Sequence, residues 1–141
     1  MAWNFKEGRG TLYDRDRAMQ LADFSALSIG NMTPTDIDGL TDLHGKGFIF
    51  IEFKYLNAGL SVGQRIAFER MVDAIQKGGK ECILFLCEHY FHNTKKDIDS
   101  SAVVVRSYFY EGKWTKLERK VSLVELYNSF ARHVLERSSA C

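Results

Sequence analysis

The segment Phe48-Ile49-Phe50-Ile51-Glu52-Phe53-Lys54-Tyr55-Leu56 constrains the rest of the chain more than any other. Read as a strand, it places Phe48 and Phe50 on one face and Ile49, Ile51, Phe53 and Tyr55 on the other. A strand apolar on both faces needs a layer against each, so it belongs inside a covered sheet. Glu52 and Lys54 continue the Phe48/Phe50 face and stand side by side. Two charges in a largely buried strand are costly unless they pair or hold an ion. The plainer alternative is a strand end that emerges into solvent, with Glu52 and Lys54 as a surface pair.

The neighbouring segments supply the layers. Ala18, Leu21, Ala22, Ser25 and Ile29 recur at helical spacing, which predicts a helix over 13–29, broken by Gly30-Asn31. Residues 33–43 read as extended, with Asp36, Asp38 and Leu40 on one face and Ile37 on the other. The turn His44-Gly45-Lys46-Gly47 then pairs this stretch with the Glu52 strand as a hairpin. Ser61-Val62-Gly63-Gln64 fits a capping box, in which the Gln64 side chain can bond back to the cap or look from the inward face of the first turn towards the Glu52 strand end, and Gly78-Gly79 ends the helix. Ala67, Phe68, Met71, Ala74 and Ile75 share one face of that helix, and Gln64 lies on the same face one turn earlier. Residues 81–88 form a short apolar strand, 102–110 and 113–117 a second hairpin around Glu111-Gly112. Ser122-Leu123-Val124-Glu125 caps a final helix that buries Leu123, Leu126, Tyr127, Phe130 and Val134. This order implies a mixed α/β fold, and with no repeat or linker in its 141 residues the chain reads as one domain, 1–141.

Composition narrows the class. The longest apolar run, Cys82 to Cys87, is six residues, far short of a membrane span, and the N-terminus has no signal-peptide pattern. Three scattered cysteines make neither a disulfide framework nor a CxxC zinc pair, so a cytoplasmic location is expected. Nineteen Lys and Arg against 18 Asp and Glu, a net charge of +1, oppose wholesale coating of nucleic acid. Local basic patches survive such a balance, because charges are screened over roughly 8–10 Å.

The hairpin brings at least one of Asp36 and Asp38 near Glu52. Carboxylates crowded together with one lysine repel unless a cation lies between them. Oxygen ligands without His or Cys favour Mg²⁺ or Mn²⁺.

These residues resemble the PD-(D/E)xK nuclease superfamily, the restriction-endonuclease-like fold. The resemblance runs over about residues 33–88: Pro34-Thr35-Asp36-Ile37-Asp38-Gly39, then Glu52-Phe53-Lys54 with 13 residues between Asp38 and Glu52, then a helix carrying Gln64. It implies an αβββαβ core, a mixed sheet flanked by helices. It also implies metal-dependent hydrolysis of DNA phosphodiester bonds, structure-selective cleavage as in Holliday-junction-resolvase-like and phage nucleases being one form. RNA stays open as a substrate, and a homodimer is an assembly seen in the family. Asp38 looks like the metal-binding aspartate, with Asp36 its rival because Pro34 is not directly followed by the acid. Glu52 and Lys54 look like the Glu and Lys of the signature, the Phe53 main-chain carbonyl like a further metal ligand, and Gln64 like the helix glutamine of several branches. The family's first core strand has no clear counterpart here unless it is compressed into residues 27–32. Glu7, Asp14, Asp16 and Asp23 are candidates for a first-helix acid. The same fold without catalysis, as a nucleic-acid-binding or assembly module, is the alternative.

The remaining residues point less sharply. Lys95-Lys96, and Lys113, Lys116, Arg119 and Lys120 around Trp114, are candidate backbone contacts or a solvated face. His44, His89 and His92 show no zinc spacing, Cys87 suits a core strand, and Ile66 on the polar side of its helix suggests a dimer contact or a substrate wall.

Overall fold

The computed structural model describes residues 21–139, within two compact units, Met1–Pro34 and Thr35–Cys141. The expected helix over 13–29 is not present in its described part. Residues 21–34 of the first unit are irregular chain with two turns, with Leu27 N–H donating to the Phe24 carbonyl and Ile29 bridged to Met32 around Gly30 in the left-handed region. Leu21 is 95% exposed and Ile29 74%. Among the described residues this apolar stripe stays exposed, and spacing alone does not hold a helix in water.

The second unit runs β1 (Gly39–Asp42), β2 (Gly47–Tyr55), α1 (Val62–Lys77), β3 (Glu81–His89), a 3₁₀ turn (Ser100–Ala102), β4 (Val104–Tyr110), β5 (Lys113–Ser122) and α2 (Leu123–Ser139). The five strands form one mixed sheet in sequence order, β2 and β3 parallel and the other pairs antiparallel. The expected strand over 33–43 is shortened to β1. Among the described residues, neither a helix nor a sheet strand precedes β1, so the αβββαβ order is matched from the aspartate strand onward only.

Each helix covers one face. Phe68 and Val72 of α1 pack on Phe50, Cys82, Leu84 and Phe109, while Leu123, Phe130 and Val134 of α2 pack on Ile49, Ile83, Phe85, Cys87 and Val105. β2 is therefore covered on both sides, as its sequence demands. α1 is rotated from expectation: Val72 turns inward, Ala67 and Ala74 are exposed, and Ile66 is half-buried rather than a free apolar contact. Ser61 Oγ accepts the Gln64 N–H at 3.1 Å and Ser122 Oγ the Glu125 N–H at 3.1 Å, so both caps form. His44-Gly45 and Glu111-Gly112 turn their hairpins with positive φ at both residues. No described helix is long and apolar enough to cross a membrane.

Candidate active site

β1 and β2 pair Gly39 with Ile51 and Leu40 with Phe50, so one further step of the register sets Asp38 opposite Glu52. The ladder stops there because the Asp38 side chain takes over: its Oδ2 accepts the Phe53 N–H at 2.7 Å. A strand residue's N–H and C=O point to the same side, so the Phe53 carbonyl also faces the Asp38 edge. Of the two rival aspartates, Asp38 is the one tied to β2.

Glu52 follows Phe48 and Phe50 onto the α1 face and is 4% exposed, the charged residue most deeply placed in the core. Its Oε1 accepts Gln64 Nε2–H at 3.1 Å and lies 3.4 Å from Lys54 Nζ. Lys54 Nζ in turn donates to Gln64 Oε1 at 3.2 Å. The amide of Gln64 thus bridges acid and base. Of the two roles open to its side chain, it takes the one towards Glu52; its main-chain N–H serves the cap, which frees the side chain for the site.

Glu52 Oε2 is buried with no hydrogen-bond partner. Burial raises the Glu52 pKa, the Asp38 charge raises it further, and Lys54 only partly opposes them. A buried carboxylate oxygen without a donor, next to a second carboxylate, is what a hard divalent cation satisfies. The residues present fit such an ion. Among the described residues no group of three or more His, Cys, Asp or Glu side chains converges, and the carboxylates that adjoin there are Asp38 and Glu52.

Other sequence candidates fall elsewhere. Asp23, in the first unit, accepts the Ser25 N–H in a turn, while Glu7, Asp14 and Asp16 lie outside the described residues. Trp114 is half-buried rather than free in solvent: its ring packs on Phe109 and its Nε1–H donates to Glu69 at 2.7 Å. Lys120 Nζ sits 5.2 Å over the Tyr90 ring. His92 bonds to Tyr55, whose ring also approaches His89 at 5.5 Å. Burial pushes the Cys87 thiol up to about 12, as for a core residue.

Sequence reading missed Arg106. It lies at an irregularity in β4 between Val105 and Ser107, donates to the Ala58 carbonyl and sits 3.4 Å from Glu88, which is opposite Lys54 in the β2–β3 register. The signal was available: a lone charge directly after Val103-Val104-Val105. Arg106 ties the loop that leads into α1 to the sheet.

Comparison with protein-family models, with curated proteins and with solved structures found no match for this chain.

Proposed function

We propose that this protein is a nuclease of restriction-endonuclease-like fold that hydrolyses DNA phosphodiester bonds with Mg²⁺ or Mn²⁺. The observation that carries the reading is the pair of adjoining carboxylates, one with a buried oxygen lacking any donor, beside a lysine held by Gln64. A structural ion pair has no use for the second carboxylate or the orphaned oxygen.

Asp38, Glu52 and the Phe53 main-chain carbonyl would hold the ion. When bound, it lowers the pKa of a water and offsets negative charge on the phosphate. Lys54 is a point-charge donor that suits a non-bridging phosphate oxygen or the attacking water. Gln64 fixes both partners, holding Glu52 by Oε1 so that Oε2 stays open, and holding the Lys54 ammonium within reach of the same carboxylate. Asp38 spends one oxygen on Phe53 N–H, which locks its carboxylate against β2.

The test is cleavage of duplex, single-stranded, flap and junction DNA, with RNA included, in Mg²⁺ and in Mn²⁺. Asp38→Ala, Glu52→Ala and Lys54→Ala should each lose about 100-fold or more while remaining folded. That no third carboxylate converges among the described residues favours one second reading, a catalytically inactive nucleic-acid-binding or assembly module on the same fold. Thermal stabilisation by Mn²⁺ that vanishes in Glu52→Ala supports the nuclease; its absence supports the inactive module.

A further inference from the structure

Beside the Glu52 site, on the same face of the sheet, a cleft of about 470 Å³ opens between the first turn of α1 and strands β3 to β5. Such a volume is in the roughly 300–1,000 Å³ range of small-ligand sites. Its lining divides by chemistry. Arg65, Arg106 and Lys116 bring three cations, Arg106 already tied to Glu88 at 3.4 Å and Arg65 only 4.0 Å from Glu69 at an exposed position, and Leu60, Leu86 and Trp114 give an apolar floor. No carboxylate lines it. Leu86 is the register partner of Glu52 on β3, and Arg65 follows Gln64 in the chain, so the cleft adjoins the proposed catalytic residues.

A cation-rimmed hollow with a greasy floor matches an anion joined to a flat apolar group. We infer that the cleft takes one unpaired nucleotide of the substrate strand, its phosphate held by Arg65 and Lys116 and its base seated on Leu60, Leu86 and Trp114. The base of a stacked duplex is not available to a concave pocket, whereas a single-stranded or extruded nucleotide is. The substrate class is therefore DNA with unpaired nucleotides next to the cut. This identity of the ligand rests on the nuclease reading, but its test does not require cleavage.

Fluorescence anisotropy in EDTA, with the full chain, measures binding of a labelled 10-nucleotide oligothymidine, its fully paired duplex and an oligomer of the same length made of abasic residues. Oligothymidine should bind about 10-fold more tightly than the abasic oligomer and more tightly than the duplex, despite the duplex's higher charge density. Lys116→Ala and Arg65→Ala, both changes at exposed side chains, should each weaken oligothymidine and reduce the salt dependence of binding. Equal binding of oligothymidine and the abasic oligomer, a preference for duplex, or no binding at all overturns the inference. Single-strand binding by a protein that cuts nothing with Mg²⁺ leaves the cleft assignment standing and removes the nuclease reading.

Discussion

Replacing Glu52 with glutamine separates a cation site from a structural ion pair, because the two accounts predict opposite signs. The side chain of Glu52 is 6% exposed and Lys54 Nζ lies 3.4 Å away. At an effective dielectric of about 20 their attraction is roughly 5 kcal/mol, set against several kcal/mol of desolvation for the buried carboxylate. The orphaned Oε2 adds a cost of about 1–3 kcal/mol, and the Asp38 charge adds repulsion. The Glu52 pKa is raised, so the unfavourable side prevails. Glu52→Gln keeps the shape and can keep a bond to Gln64 after an amide flip. Without cations at pH 7.5 the variant should be more stable by about 1 kcal/mol, or ~3–5 °C in Tm. The sign with pH follows from the raised pKa. The folded state holds the Glu52 proton more tightly than the unfolded state, so the wild type loses stability as pH rises from about 4.5 through the folded value. The variant's advantage should therefore shrink on acidification. Added Mn²⁺ at 10 mM, for a Kd of about 1 mM, stabilises the wild type by about 1.4 kcal/mol and reverses the order; the variant should not respond. Differential scanning fluorimetry in EDTA and in Mn²⁺ measures both arms. A Glu52→Gln protein less stable than wild type in EDTA would refute the reasoning, since it would make the Glu52–Lys54 pair a net support of the fold.

Three further outcomes follow from the packing. Ser61→Ala removes the acceptor for the Gln64 N–H and should cost about 1 kcal/mol in urea denaturation, with α1 fraying first at the end that holds Gln64. Gly47→Ala places a Cβ 2.9 Å from Val134 Cγ1 and 3.0 Å from the Glu81 carbonyl, so β2 or α2 must shift; a loss of about 1–3 kcal/mol is expected by the same measurement. Cys82 and Cys87, with thiols pushed up by burial to about 12, should resist iodoacetamide at pH 8 in the native protein and react once urea unfolds it, as peptide mass spectrometry would show; native labelling of either contradicts the placement.

Much of the second unit was legible because local signals agree with packing there. β2 and β3 announce themselves as apolar runs, and their covered faces follow from the absence of polar alternation. Ser61 and Ser122 mark the helix starts, and paired positive-φ turns mark both hairpins. Glu52 and Lys54 stood out as charges in the wrong place, and that mismatch led to the site. What escaped depended on partners distant in sequence. The stripe Leu21, Ser25, Ile29 has helical spacing, but in residues 21–34 the apolar side chains stay exposed. Whether the Gln64 side chain turned to its own cap or to Glu52 was a choice between a local acceptor and one 12 residues away, which spacing alone does not decide. Trp114 was read with its charged neighbours, yet Glu69 on α1 and Phe109 on β4 hold its ring half-buried.

The central claim is tested most directly by cleavage with Lys54→Ala beside the wild type. Lys54 holds no cation in this account, so the variant should keep its Mn²⁺-dependent rise in Tm. On a panel of single-stranded, flap, junction and duplex DNA in Mg²⁺, the wild type should cut at least one substrate carrying unpaired nucleotides and the variant should cut about 100-fold more slowly or not at all. A folded wild type that cuts none of them, or a variant that cuts at the wild-type rate, contradicts the account.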